Sequence, residues 1–254
     1  MTNILTIAGK ELRSYFVSPI AYILLSVFAL VFGIFFALSV ENLIRMFLAS
    51  GRMGGMPVDH QEMLMRPLMG TISTIGLFLA PMITMRLFAE EKRNGTIELL
   101  LTSPVRDHEI VIGKWLAAFA LYSALLLISM FDFAILLVMS SPEWKPIVTS
   151  YLGLFLQGGA LLSLGTFLSS TTRNQIVAVA VTFFASLGLL IADAISVFNS
   201  ALWARGIGYL SLMAHFEPFA RGLVQSKDVV FFITFTFFWL FLTVRSLESL
   251  RWRS

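Results

Sequence analysis

Six uninterrupted apolar stretches alternate with short polar segments along the chain, and this pattern predicts six bilayer-crossing helices. Residues 20–40 form the first, 21 positions without a charge, roughly 31 Å of helix at 1.5 Å per residue. The second lies between Arg66 and Arg86 and contains Pro81, which predicts a kink that neighbouring helices accommodate. The third covers about 115–140, the fourth about 147–170 and the fifth about 175–198. The sixth, 229–244, is shorter, and Lys227 and Arg245 at its ends are long enough to reach the headgroups. The first stretch does not read as a cleavable signal peptide, because its apolar run is too long and no small-residue cleavage site with a hydrophilic chain follows. The expectation is one all-α integral-membrane domain over residues 1–254.

Three segments depart from simple span-and-loop patterning. In residues 1–18, Ile4, Ile7, Ala8, Leu12 and Tyr15 recur at helical spacing, with Lys10, Glu11, Arg13 and Ser14 largely opposite. Pro19 follows, so a helix lying along the membrane surface and bending at the proline is expected; the bland alternative is a frayed terminal anchor. Residues 41–66 include the run from Ser50 to Pro57, rich in Gly and Met. It has no Gly-Lys-Ser/Thr ending, so it reads as a flexible connection and not as a phosphate loop. Residues 199–228 are rich in Leu, Phe, Trp and Tyr, too apolar for free solvent yet too interrupted to span. Short helices dipping into the outer leaflet fit that pattern.

Composition agrees with the pattern. Hydrophobic residues make up 57% of the chain and charged residues 13%, against about 25% charged in soluble domains. A net charge of +3, dispersed along the sequence, gives no nucleic-acid footprint. The absence of cysteine excludes disulfides, Cys-ligated zinc and thiol catalysis. With the N-terminus inside, the inner segments hold Lys10, Arg13, Arg86, Lys92, Arg93, Arg106, Lys114, Arg173, Arg245, Arg251 and Arg253. The outer ones hold Arg45, Arg52, Arg66, Lys145, Arg205, Arg221 and Lys227. That asymmetry predicts cytoplasmic termini in the cell's inner membrane.

No catalytic or metal-binding cluster emerges. His60, His108 and His215 fall in different loops without a ligand-spaced carboxylate or cysteine. No nucleophile elbow and no nucleotide-binding motif is present. Two acids stand in apolar surroundings: Asp132 inside the third stretch and Asp193 toward the outer end of the fifth. A charged Asp at a helix centre costs about 2.5–3.5 kcal/mol on insertion scales, so each needs water, a partner or a proton. Asp132 reads equally as part of a polar pathway or as an interhelical hydrogen-bond partner; Asp193 reads as interfacial exposure.

The densest polar pattern runs from Glu90 to Pro104, Glu-Glu-Lys-Arg-Asn-Gly-Thr-Ile-Glu-Leu-Leu-Leu-Thr-Ser-Pro. Asn94-Gly95 breaks the helix leaving the second span, Thr96 can cap a new one, and the turn from Ile97 to Leu101 stops at Ser103-Pro104. It reads either as a rigid cytoplasmic knob or as a turn anchored at the bilayer. This segment resembles the signature after the second span of ABC-2-type permeases, the membrane halves of ATP-binding-cassette transporters. His215-Phe216, Phe219, Arg221-Gly222 and Asp228 resemble a pattern of the gliding-motility and nitrous-oxide-reductase-maturation branch.

The resemblance covers the whole chain and implies a membrane-surface helix, a cytoplasmic coupling helix between spans two and three, and re-entrant outer helices between spans five and six. It implies an ATPase-coupling set of Glu90, Glu91, Arg93, Gly95, Thr96, Glu98, Leu99, Leu100, Thr102 and Pro104, with Asp132, His215 and Arg221 as pathway candidates. ATP and magnesium would be held by a separate P-loop ATPase in two copies, with no cofactor on this chain. A second permease chain, identical or related, membrane lipid and an outer auxiliary protein complete the expected partners. The chief rival to transport is mechanotransmission, in which ATPase strokes regulate an outer protein without moving cargo.

Overall fold

The protein is described by a computed structural model covering residues 2–50, 64–102, 104–140, 144–198 and 206–251. Ten helices account for nearly all of these residues: α1 Thr2–Val17, α2 Pro19–Ser50, α3 Arg66–Thr84, α4 Ala89–Asn94, α5 Ile97–Thr102, α6 Asp107–Ser140, α7 Trp144–Thr171, α8 Gln175–Phe198, α9 Leu212–Ala220 and α10 Ser226–Arg251. Among the described residues, six segments are long and apolar enough to cross a membrane, in agreement with the sequence pattern. The helices outrun several of the charge-free runs. α2 continues past residue 40 through the Glu41–Arg45 pair at 2.6 Å, and α10 reaches Arg251, whose guanidinium lies 3.5 Å from Asp107 of α6.

α7 is the axis of the bundle. Within its apolar window 72% is buried, against 11% for α10 and 17% for α2. Small residues let its neighbours approach closely. A Cβ built on Gly158 would sit 2.0 Å from Cε1 of Tyr122 on α6, and one on Gly165 would sit 2.1 Å from Oγ1 of Thr84 on α3. Several polar side chains inside the bundle pair with one another, as hydrocarbon surroundings favour. Ser73 donates to Gln157 at 2.8 Å, and the Ser129 and Tyr151 hydroxyls meet at 2.9 Å. Apolar faces of α2, α8 and α10 remain largely uncovered within one chain.

One boundary differs from the sequence reading, which carried the helix leaving the second span as far as Asn94. α3 stops at Thr84, three residues after Pro81, and the chain turns through 85–88 before α4 begins. Ser169 of α7 makes that turn affordable. Its hydroxyl accepts from the N–H groups of Phe88 and Ala89, both at 3.2 Å, and donates to the Met85 carbonyl at 3.1 Å. A side chain 80 residues away thus caps the start of α4.

Candidate functional site

Polar side chains gather at the two ends of the bundle. At the end where α1 lies, α4 is fixed from three directions by cations. Lys114, 1% exposed, reaches Glu91 at 2.8 Å and Glu11 at 2.7 Å, with its ammonium 5.3 Å from the centre of the Phe88 ring. Arg86 holds Glu90 at 2.7 Å and donates to Ser18, between α1 and α2, at 3.2 Å. Lys92 donates to the Ser170 carbonyl at the end of α7. α1 is further tied down where Asn3 donates to Glu109 at 3.3 Å and the Tyr15 hydroxyl donates to the Ile83 carbonyl at 2.6 Å. Burial pushes the Tyr15 phenol well above its ordinary range.

From this fixed base the chain turns outward. α4 carries Glu90 and Glu91 in its first turn and Lys92 and Arg93 in its last, the order that complements its dipole. Gly95 adopts φ 71°, a left-handed conformation that suits glycine, while the Thr96 N–H returns to the Glu91 carbonyl at 3.0 Å. α5 follows at once. Arg93, Gly95, Thr96, Glu98, Leu99 and Pro104 are exposed, Leu99 at 73%. Leu99 is thus an exposed apolar side chain on the short helix that follows the braced α4.

The ten residues of the expected coupling set therefore divide. Glu90 and Glu91 are engaged inside the chain by Arg86 and Lys114, and the six just named face outward. The side chains of Leu100 and Thr102 lie outside the described residues. Lys114, Glu11 and Ser169, which hold the set in place, were missed by sequence reasoning. Lys114 carried a weak signal, as a cation bordering the third apolar run.

At the opposite end, α9 packs against α3, α7, α8 and α10. Its N-cap Ser211 accepts from the Ala214 N–H at 3.3 Å, and Gly222 at φ 84° turns the chain toward α10. Glu217 accepts from Arg221 at 2.6 Å and also from Arg66 of α3. The Arg221 hydrogen bond, with the Arg66 charge beside it, holds the Glu217 carboxyl below its ordinary range. Between α3 and α9 lies a cavity of about 260 Å³, with Arg66, Gly70, Met213 and Glu217 among its walls.

The three pathway candidates have separate surroundings. Asp132 is half-buried on α6, Arg221 is exposed beside Glu217, and His215 is buried with its Nδ1 at 2.6 Å from Asp228 of α10. That last contact corrects the reading that no histidine has a carboxylate partner: the turn after α9 brings together residues 13 apart. The side chain of Asp193, His60, and the run from Gly51 to Pro57 lie outside the described residues. No cluster of three or more metal-ligating side chains occurs among the described residues.

Residues 5–240 match the profile of a protein family described as "ABC-2 family transporter protein". The chain is 24% identical over 194 residues to a protein of Escherichia coli strain K12 named "Probable multidrug ABC transporter permease YbhR". The protein of the same name from Escherichia coli O157:H7 matches equally. These alignments cover 74% of this chain and 50% of each relative, so the chain spans about half the length of the curated relatives it matches.

Proposed function

The chain belongs to the ABC-2 family of transporter proteins, and on that premise we propose that it is the permease subunit of an ATP-driven exporter or extrusion machine whose motor docks on α4 and α5. The observation that carries this reading is the braced knob. α4 is locked to α1, α6 and α7 through Lys114, Arg86 and Lys92, so force applied to the exposed Glu98 and Leu99 passes into the spanning helices without being absorbed by a loose loop. Two P-loop ATPase subunits would bind ATP and magnesium. A second permease chain, the same or related, would cover part of the apolar surface that α2, α8 and α10 leave open, with lipid on the rest. The Lys/Arg asymmetry supports a cytoplasmic α1 end and an outward α9 end in the inner membrane. The exporter direction leans on the relatives, which are named probable multidrug permeases. The pattern His215-Phe216, Phe219, Arg221-Gly222 and Asp228 supports the gliding-motility and nitrous-oxide-reductase-maturation branch.

The test uses the cysteine-free background. A Glu98→Cys chain expressed with its partner P-loop ATPase is treated with a short thiol-to-amine crosslinking reagent. It should crosslink to the ATPase, whereas Leu223→Cys at the other end should not. A working complex in which position 98 never crosslinks would sink the docking assignment. ATP-driven action on an outer protein with no cargo crossing the membrane would select mechanotransmission in place of transport.

A further inference from the structure

His215 is buried and has a hydrogen-bond acceptor at each ring nitrogen. Nε2 faces the Tyr209 carbonyl at 2.9 Å, and Nδ1 faces the Asp228 carboxyl at 2.6 Å. A backbone carbonyl cannot donate, so Nε2 must carry a proton. A second proton must then lie between Nδ1 and Oδ1, on the imidazole or on the carboxyl. Without it two lone pairs would meet at 2.6 Å in a buried site. Asp228 is 1% exposed, and its Oδ2 has no hydrogen-bond partner among the described residues. His215 is therefore the group that balances its charge. The ring is clamped by Phe231, stacked at 3.9 Å between centroids, and by the edge of Tyr209 at 5.0 Å.

We propose that His215 and Asp228 form a proton-binding site, and that the proton they share latches α9 to the start of α10. The pair holds two protons in total and is neutral overall, with both ring nitrogens satisfied. Loss of one proton leaves a single N–H to serve two acceptors, so the contact to Asp228 or the contact to Tyr209 becomes repulsive. The latch therefore loosens as pH rises. A single linked proton shifts such an opening by up to roughly tenfold per pH unit.

Other charged groups on the surrounding elements are otherwise occupied or face away. Arg66 of α3 and Arg221 are on Glu217, Lys145 of α7 and Lys227 of α10 are exposed, and Tyr151 of α7 is on Ser129. The side chain of Asp193 on α8 lies outside the described residues. The site itself does not depend on the proposed transport role. That the latch samples the outer medium rests on the proposed orientation.

The direct measurement is nitrogen NMR of the full chain with labelled histidine, His215 being assigned by the signal lost in His215→Gln. The expected spectrum has one proton on Nε2 and a second between Nδ1 and Oδ1 at neutral pH. A bare Nε2, or an Nδ1 that shares no proton with Asp228 Oδ1, in the folded protein at neutral pH overturns the proposal. The second readout is the labelling rate of Ala220→Cys, a small buried position on α9, divided by that of exposed Leu223→Cys to remove thiol ionisation. This ratio should climb with pH in the wild-type background and stay flat in Asp228→Asn. The carboxamide N–H can donate to a neutral imidazole and so replaces the second proton. A full pH slope retained in Asp228→Asn, or none in the parent, also overturns it.

Discussion

Lys114 and Glu91 form an ion pair at 2.8 Å across 23 residues of sequence, joining α6 to the short helix that leads into the exposed turn. The same ammonium holds Glu11 of α1 at 2.7 Å, so one buried cation fastens three helices. Removing one partner from a buried ion pair costs about 3–5 kcal/mol, because the remaining charges lose compensation. Lys114→Met should lower stability by about that amount and release α1, since Glu11 and Glu91 would then repel. Replacing all three with Glu11→Leu, Glu91→Leu and Lys114→Met should recover most of the loss. Unfolding midpoints of the two variants in one detergent make the comparison. Equal destabilisation of both would mean that packing, and not uncompensated charge, dominates at this point.

Much of the fold was legible in the sequence because hydrocarbon imposes a coarse and strict rule. A run of about 20 apolar residues can do little except span. The turn at Gly95 was legible too, since a glycine after Asn94 and before an amphipathic stretch marks a helix stop. What the sequence hid were the partnerships. Glu11 and Lys114 are 103 positions apart, and nothing local in either marks the other. Ser169 reads as an ordinary small residue in an apolar span until the turn at 85–88 is laid against it. His215 and Asp228 stood in a noticed pattern, yet their pairing depends on how the chain turns at Gly222.

Gly158 and Tyr122 test the packing of the axis helix. A methyl group on Gly158 would fall 2.0 Å from Cε1 of a ring that is 2% exposed. Overpacking of this kind costs about 1–3 kcal/mol. Gly158→Ala should therefore destabilise the protein, and adding Tyr122→Leu should restore part of the loss by vacating the space. Gly33 on α2 has nothing within 4 Å of its hypothetical Cβ, so Gly33→Ala should be neutral or mildly stabilising. Thermal melts of the four chains in identical micelles decide the matter. An unaffected Gly158→Ala would mean that α6 and α7 are further apart than the structure has them.

Tyr15 predicts an alkaline weakness. Its buried hydroxyl donates to Ile83, and burial raises its folded-state pKa. An unfolded tyrosine ionises near 10, so above about pH 10 the unfolded chain binds fewer protons than the folded one, and stability falls as pH rises. Below that range the group contributes no pH slope. Tyr15→Phe should remove this contribution to the slope and cost about 1 kcal/mol at neutral pH, through the lost hydrogen bond. Midpoints measured from pH 8 to 11 should show the two chains converging at the alkaline end. Parallel curves would assign the alkaline loss to other groups.

Orientation is open to a direct check because the chain has no cysteine background. Thr96 and Leu223 are both exposed, one beside α5 and the other in the connection that follows α9. An impermeant thiol reagent added to intact cells should label Leu223→Cys and spare Thr96→Cys until the membrane is opened. The reverse pattern would turn the whole bundle over and place the braced knob outside.

The last prediction concerns the knob itself. Glu98 and Leu99 project from α5, which begins two residues after the left-handed glycine that ends a helix fixed by three cations. A charge reversal at position 98 would oppose any basic group on the motor, and truncation at 99 would remove the apolar contact. Losing a well-buried leucine costs about 2–5 kcal/mol in protein cores, which at the upper end is more than a thousandfold in an association constant. Glu98→Arg with Leu99→Ala should leave the protein inserted and α4 still fixed, because neither side chain belongs to the Lys114, Arg86 or Lys92 contacts. It should also lose the ATPase on co-purification and abolish the work of the complex. Lys114→Met should reach the same functional end by another route, with the ATPase retained more weakly and the permease itself destabilised. Normal ATPase binding and normal activity in the Glu98/Leu99 double variant would reduce α5 to a membrane-surface turn and send the search for the motor's contact elsewhere on the α1 end.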